Sequence, residues 1–135
     1  LITLMSNKLE KILAEISAGE LFDKITILEI KKAKISDQKK LIDVEKELLS
    51  LNETVQKFIP NQSKVSNLVR NLKEINLKLW DIENGKRAAE KNKDFGDKFI
   101  ELARRVYKSN DERAKIKLEI NIMLGSNIKE VKSHE

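Results

Sequence analysis

Apolar residues recur along most of this chain at intervals of three and four, the spacing of helices that each bury one face. The first run, Ala18 to Ile35, opens on "SAGE", a capping box in which Ser17 accepts from the Glu20 backbone and Glu20 reaches back. Leu21, Ile25 and Leu28 mark its inward side. "SD" interrupts the run, and Asp37 suits the N-cap of a second helix. That helix carries Leu41, Val44, Leu48, Leu51, Val55 and Phe58, spaced 3, 4, 3, 4, 3, a heptad stripe of coiled-coil kind. Pro60 ends it, and "NQS" offers the next cap. A third helix places Val65, Leu68, Leu72, Ile75, Leu79 and Ile82 on its seam and runs to about Asn92. "KNKDFGD" turns the chain into a fourth helix, Gly96 to Leu124, closed by Gly125 at a position where left-handed backbone is favourable.

Short connections force neighbouring helices antiparallel, so the expected fold is all-α: an antiparallel up-down bundle of about four helices with a long C-terminal helical hairpin. Residues 1–16 read as an N-terminal extension and 17–135 as a single helical-bundle domain. Within the extension, Met5 reads as a natural initiator behind an upstream remnant. The last two helices would each be ~45 Å long and overhang the first two, leaving apolar surface for a second copy of the chain. The tail, "SNIKEVKSHE", is polar and expected to be loosely held.

The fourth helix departs from its own pattern. Its seam reads Phe95, Phe99, Leu102, Val106, then Asn110, Arg113 and Lys117, then Ile120 and Leu124. At 100° per residue these positions stay within a band of roughly 80°, so three consecutive inward places hold an amide and two cations. The third helix carries a companion stripe beside its seam: Asn76, Trp80, Glu83, Arg87 and Glu90. Glu29 and Lys32 fall on the inward side of the first helix. Folding the hairpins about their turns brings these three polar insertions to similar heights in mid-bundle.

Composition sharpens this picture. Lys occurs 22 times and Arg only five, yet Arg87, Arg104, Arg105 and Arg113 share one 27-residue window. In a chain that otherwise uses Lys, Arg marks a need for a planar fork of donors facing carboxylate or phosphate. Charged residues reach 36% and aromatics only 4%, which suits long amphipathic helices and argues against a sheet. The net charge of +5 invites a nucleic-acid partner, but the basic residues mostly alternate with acids at helical spacing. The one local excess is Lys31 to Lys40, a corner suited to weak phosphate contact. No run of about 18 apolar residues exists, so no membrane span is expected, and the compartment expected is the cytoplasm.

Several chemistries drop out. With no cysteine there are no disulfides or thiolate ligands, and His134, in the tail, is the sole histidine. A di-metal carboxylate bundle needs paired Glu-x-x-His motifs, so neither a metal nor another cofactor is expected. Ser–His–Asp catalysis and glycine-rich phosphate loops are likewise absent. Catalysis would fall to Glu, Asp, Tyr, Lys and Arg alone, which counts against an enzyme without forbidding one.

"GELFDKITILEIK" (Gly19–Lys31), "NLKLWDIEN" (Asn76–Asn84), "FIELARRVYKSNDERAKIKLEIN" (Phe99–Asn121) and "GSNIKEVKS" (Gly125–Ser133) together resemble a family of small uncharacterised bacterial and phage proteins, a domain of unknown function. The resemblance implies a mainly helical protein and a set of motif polar positions. These are Glu20, Asp23, Lys24, Glu29, Asn76, Trp80, Glu83, Arg87, Arg104, Tyr107, Asn110, Asp111, Arg113 and Lys117. The chain departs from the pattern at Asn84, where the family has an acid, at Lys86, where it has an apolar residue, and at His134–Glu135, where it has an aromatic. Gly85, between the first two, costs ~1 kcal/mol inside a helix and is expected to loosen it.

Two readings of the polar centre stay open. In one, Glu29, Glu83 and Asp111 neutralise Arg87, Arg104, Arg113 and Lys117 in a structural network that fixes helix register. In the other, surplus cations form a pocket for an anionic small molecule, phosphosugar or nucleotide-like, walled by Trp80 and Tyr107. The expected function is a non-enzymatic helical interaction or assembly module acting on a second copy or another protein. Anion binding is the alternative, and nucleic-acid contact through Lys31–Lys40 comes last.

Overall fold

The computed structural model describes residues 8–134; Met5 and the rest of residues 1–7, and Glu135, lie outside the described residues. Four helices account for most of the chain: α1 (Ala18–Lys34), α2 (Gln38–Phe58), α3 (Ser66–Lys91) and α4 (Asp97–Leu124). The fold is all-α, and no strand occurs among the described residues. No helix among them is long and apolar enough to cross a membrane. Lys8 to Ile16 is exposed and without regular secondary structure.

The helix boundaries follow local chemistry. Ser17 Oγ accepts from the Glu20 amide (3.1 Å) and starts α1. The reciprocal arm of the capping box is not made, because the Glu20 carboxylate turns to Lys117 and Lys24. Asp37 caps α2 through the Lys39 and Lys40 amides. The expected side-chain cap on α3 is replaced by a 3-10 turn, Gln62–Val65, that winds directly into the helix. The early amides of α3 are thus presented to a preceding helical turn, where a polar cap is less needed. Gly125, at φ 65°, closes α4 in the left-handed region as expected.

α1 is the centre of the molecule. It packs against α2, α3 and α4, while α2 packs chiefly on α1. Leu21, Phe22, Ile25, Leu28 and Ile30 are all buried, and they point around most of the helix circumference. The heptad stripe of α2 is therefore only partly used: Val44 and Val55 are buried, whereas Phe58 is exposed and Ile59 replaces it. The seam of α3 behaves as expected, with Leu72, Ile75 and Ile82 buried. Leu21, Phe22, Ile25, Val55, Ile59, Val65, Leu72, Ile75 and Ile120 form one cluster near the start of α1 and the end of α4. The hairpin tip between α3 and α4 is thinner: Phe95 is half exposed and meets Phe99 edge to face at 5.5 Å.

Gly19 permits the closest approach in this core. A Cβ there would stand 2.3 Å from the Lys117 carbonyl oxygen, a backbone atom that cannot rotate away. Gly85 is different, since a Cβ would meet the end of the Leu102 side chain, Cδ1 at 3.3 Å and Cδ2 at 3.5 Å. α3 runs unbroken through Gly85 to Lys91, so the loosening expected there is not observed. Gly19→Ala should therefore cost about 1–3 kcal/mol by forcing α1 and α4 apart. Gly85→Ala should be neutral to mildly stabilising, as helix propensity offsets a small shift of Leu102. Urea unfolding of the two variants checks this difference.

Candidate functional site

Just beyond the apolar cluster, polar side chains from α1, α3 and α4 meet in one layer. Asp23, with its side chain 1% exposed, is the centre of it. Arg113 Nε donates to Asp23 Oδ1 (2.8 Å) and Nη2 donates to Oδ2, a two-pronged pair. Asn76 Nδ2 donates to Asp23 Oδ1 (2.9 Å) and to Thr26 Oγ1 (3.0 Å), and Thr26 Oγ1 donates to the Asp23 carbonyl (2.8 Å). Asn110 Oδ1 receives Arg113 Nη1 at 3.4 Å. One turn further along α4, Lys117 Nζ donates to Glu20 (2.6 Å) and to Glu130 of the tail (3.2 Å). Among the described residues no buried side-chain nitrogen or oxygen is left without a hydrogen bond.

A second polar group ties the same helices at their ends. The first amides of α1 point at the end of α4: Ala18 N–H donates to Ser126 Oγ (3.1 Å) and Gly19 N–H to Asn121 Oδ1 (2.6 Å). Asn121 is fully buried beside Ile120. Helix-start amides that would otherwise need water are thus satisfied by another helix. The missing Gly19 side chain is what lets Asn121 in.

The electrostatics of the layer follow from burial and pairing. Burial pushes the Asp23 carboxyl up, but hydrogen bonds from Arg113 and Asn76, with the charges of Arg113 and Lys117, outweigh it and hold the group below 3.8. Its hydrogen bond to Asp23 raises Arg113 above the ordinary guanidinium value, against the opposing effect of burial. Burial would lower Lys117, but the hydrogen bond and charge of Glu20 prevail and raise it above 10.5.

The inward turn of Asn110, Arg113 and Lys117 expected from the seam is observed, as is convergence with Asn76. Their acid partners differ from those expected. Asp23, Glu20 and Glu130 neutralise the layer. Glu29 instead pairs with Lys73 (3.6 Å), Glu83 with Lys86 (3.6 Å) and Asp111 with Lys132 (3.5 Å), all at half-exposed or exposed positions. Lys24 lies 3.7 Å from Glu20 on the outside of α1. Lys32 and Glu90 are exposed. Trp80, Glu83 and Arg87 line a cleft of about 390 Å³ with Asn76, Arg113 and Ile30. Tyr107 does not face Trp80 across this cleft; it is exposed on the outer side of α4 with Arg104. The tail is exposed but not loose in its contacts, since Glu130 and Lys132 lay it back along α4.

Thr26, Asn121, Ser126 and Glu130 escape a reading of stripes. One signal was available: Asp23 shares its side of α1 with Ile27 and Ile30, four and seven residues on, a spacing that turns this acid toward an apolar face. Lys31, Lys32 and Lys34 close the last turn of α1, where cations also complement the helix dipole.

The lowered Asp23 value has a signed consequence. Its contribution to stability is fully present above the unfolded value near 3.8 and is lost as pH falls from there through the lower folded value. Acid unfolding should therefore steepen below about pH 4, and Asp23→Asn should be less stable at pH 7 while losing much of that steepness. Circular dichroism of both proteins from pH 7 to pH 2 measures this.

No curated protein and no solved structure matches this chain. The layer that joins α1, α3 and α4 lies wholly within residues 12–135, the stretch matched by one family model, and the chain belongs to that family, the family of unknown function DUF6165.

Proposed function

We propose that this protein is a non-enzymatic helical assembly module that pairs with a second copy of itself through the outer face of α4. The observation that carries this reading is a row of large apolar side chains left uncovered there. Ile100, Tyr107, Leu118 and Ile122 are all exposed, and helical geometry places them within a band of about 60°. Monomeric proteins scatter such residues singly; several gathered on one face, here interspersed with Arg104 and Asp111, mark an interaction surface. The charges beside the row favour self-pairing. An antiparallel crossing centred between Tyr107 and Lys108 sets Arg104 opposite the partner's Asp111, which would exchange its 3.5 Å contact with Lys132 for this pair, and the symmetry repeats it. The internal pairing of Arg113 and Lys117 is consistent with a structural role for the polar layer.

A second reading rests on the cleft beside Trp80. Arg87 at its rim makes no ion pair among the described residues, and Trp80, Ile27, Ile30 and Leu79 offer apolar walls. Such a mixture suits a small anion carrying an apolar or ring portion, such as a phosphosugar or a nucleotide-like molecule.

Sedimentation equilibrium tests the main reading. The chain should associate at micromolar concentration, and Tyr107→Glu with Leu118→Glu should give a folded monomer; a wild-type chain that stays monomeric at every concentration contradicts it. The second reading predicts that sugar phosphates or nucleotides raise the melting temperature, and that Arg87→Ala abolishes the rise while leaving the unliganded value within a few degrees.

A further inference from the structure

The tail and α4 border a second, open polar cleft, of about 420 Å³, lined by other residues than the Trp80 cleft except for Arg113. Asn110, Arg113 and Lys117 form its floor; Glu130, Lys132 and His134 form its cover. Arg113, Lys117 and Lys132 thus border a space lined by one carboxylate, that of Glu130, while their other partners, Asp23, Glu20 and Asp111, lie outside the lining. Its contact with Lys117 is the longer of the two that Lys117 makes, 3.2 Å against 2.6 Å to Glu20, and Glu130 is 55% exposed. The Asn110 amide receives Arg113 through its oxygen, which leaves Nδ2 free to donate. Polar contacts of Ser126, Asn127, Glu130 and Lys132 hold the tail, and Val131 beside Glu130 is 85% exposed. A segment with so little buried apolar area opens easily.

We infer that this cleft is a binding site for a phosphate monoester, and that Glu130 is an internal stand-in which the phosphate displaces from Lys117. The donor set favours a dianion over a carboxylate. Lys117, Asn110 and Arg113 line the cleft together with Lys132, which contacts Asp111 at 3.5 Å, and a phosphoryl group has three oxygens to meet such a set of donors. One Glu130 oxygen uses a single one of these donors. The volume is within the range that holds a phosphorylated sugar-sized molecule. The mechanism is an exchange: Asp23 and Glu20 keep the floor cations in place, the departing Glu130 frees an N–H of Lys117, and Lys132 turns from Asp111 to the ligand. This inference shares with the second reading above only the class of ligand.

Titration calorimetry of the full chain with inorganic phosphate at constant ionic strength tests it. Glu130→Gln removes the competitor and should tighten phosphate binding roughly two- to fivefold, the strength expected of an exposed ion pair. Lys132→Met should weaken it by a similar factor; because Lys132 is on the exposed tail, this variant separates loss of binding from loss of fold. Arg87→Ala should leave it unchanged. Binding that Glu130→Gln fails to tighten, binding lost with Arg87→Ala instead, or no saturable binding in any variant overturns the proposal.

Discussion

A carboxylate removed from water must recover its lost hydrogen bonds, and Asp23 recovers them from two other helices: two from the Arg113 fork on α4 and one from Asn76 on α3. Replacing a buried ion pair by apolar residues is often neutral or stabilising, so this layer is weak evidence for stability as such. Its effect is to penalise every arrangement in which Asp23 lies buried without these donors. A slip of α4 by one turn past α1 would do so, and would also drive the Lys117 carbonyl away from Gly19 and strand the first amides of α1. The apolar cluster supplies most of the driving force for collapse; the polar layer selects one register.

That division of labour shapes what remains for function. With Arg113 and Lys117 committed to Asp23 and Glu20, the cations at mid-bundle are positioned more rigidly than surface side chains would be. Groups added at the edge then decide what the layer does. On one side the tail brings Glu130 and Lys132; on the other α3 brings Trp80 and Arg87. Assembly through the outer face of α4 leaves the Trp80 edge untouched but draws on Asp111 and Leu118, which adjoin the tail, so pairing of two copies would bear on the tail cleft.

Helix number, order and most helix ends were legible from periodicity, because each helix buries a face and ends at Asp37, Pro60 or Gly125. The inward amide and cations of α4 were legible for the same reason. The partner acids were not. A stripe is read one helix at a time, and Glu29 lies on the angle expected of an inward residue of α1, yet α1 is enclosed by three helices and has no single inward side. Asp23 entered only through the family resemblance. Glu20 was assigned to a capping box, whose local geometry competes with a longer-range pair to Lys117. Glu130 lay in a polar tail, and nothing in a one-dimensional pattern tells a tail that folds back from one that does not. Phe58 failed for a related reason: a heptad stripe fills only when a second surface meets it, and at that end of α2 Ile59 meets the core instead.

The measurement that bears most directly on the central claim is a double-mutant cycle of Asp23→Leu and Arg113→Met, read by chemical denaturation at pH 7. Each single variant leaves an uncompensated charge at or near the core and should cost about 3–5 kcal/mol. The double variant, with both charges gone, should recover a large part of that loss, giving a coupling of at least about 1–3 kcal/mol. Two small and additive costs would contradict the account, because the three helices would then be held in register by their apolar contacts alone.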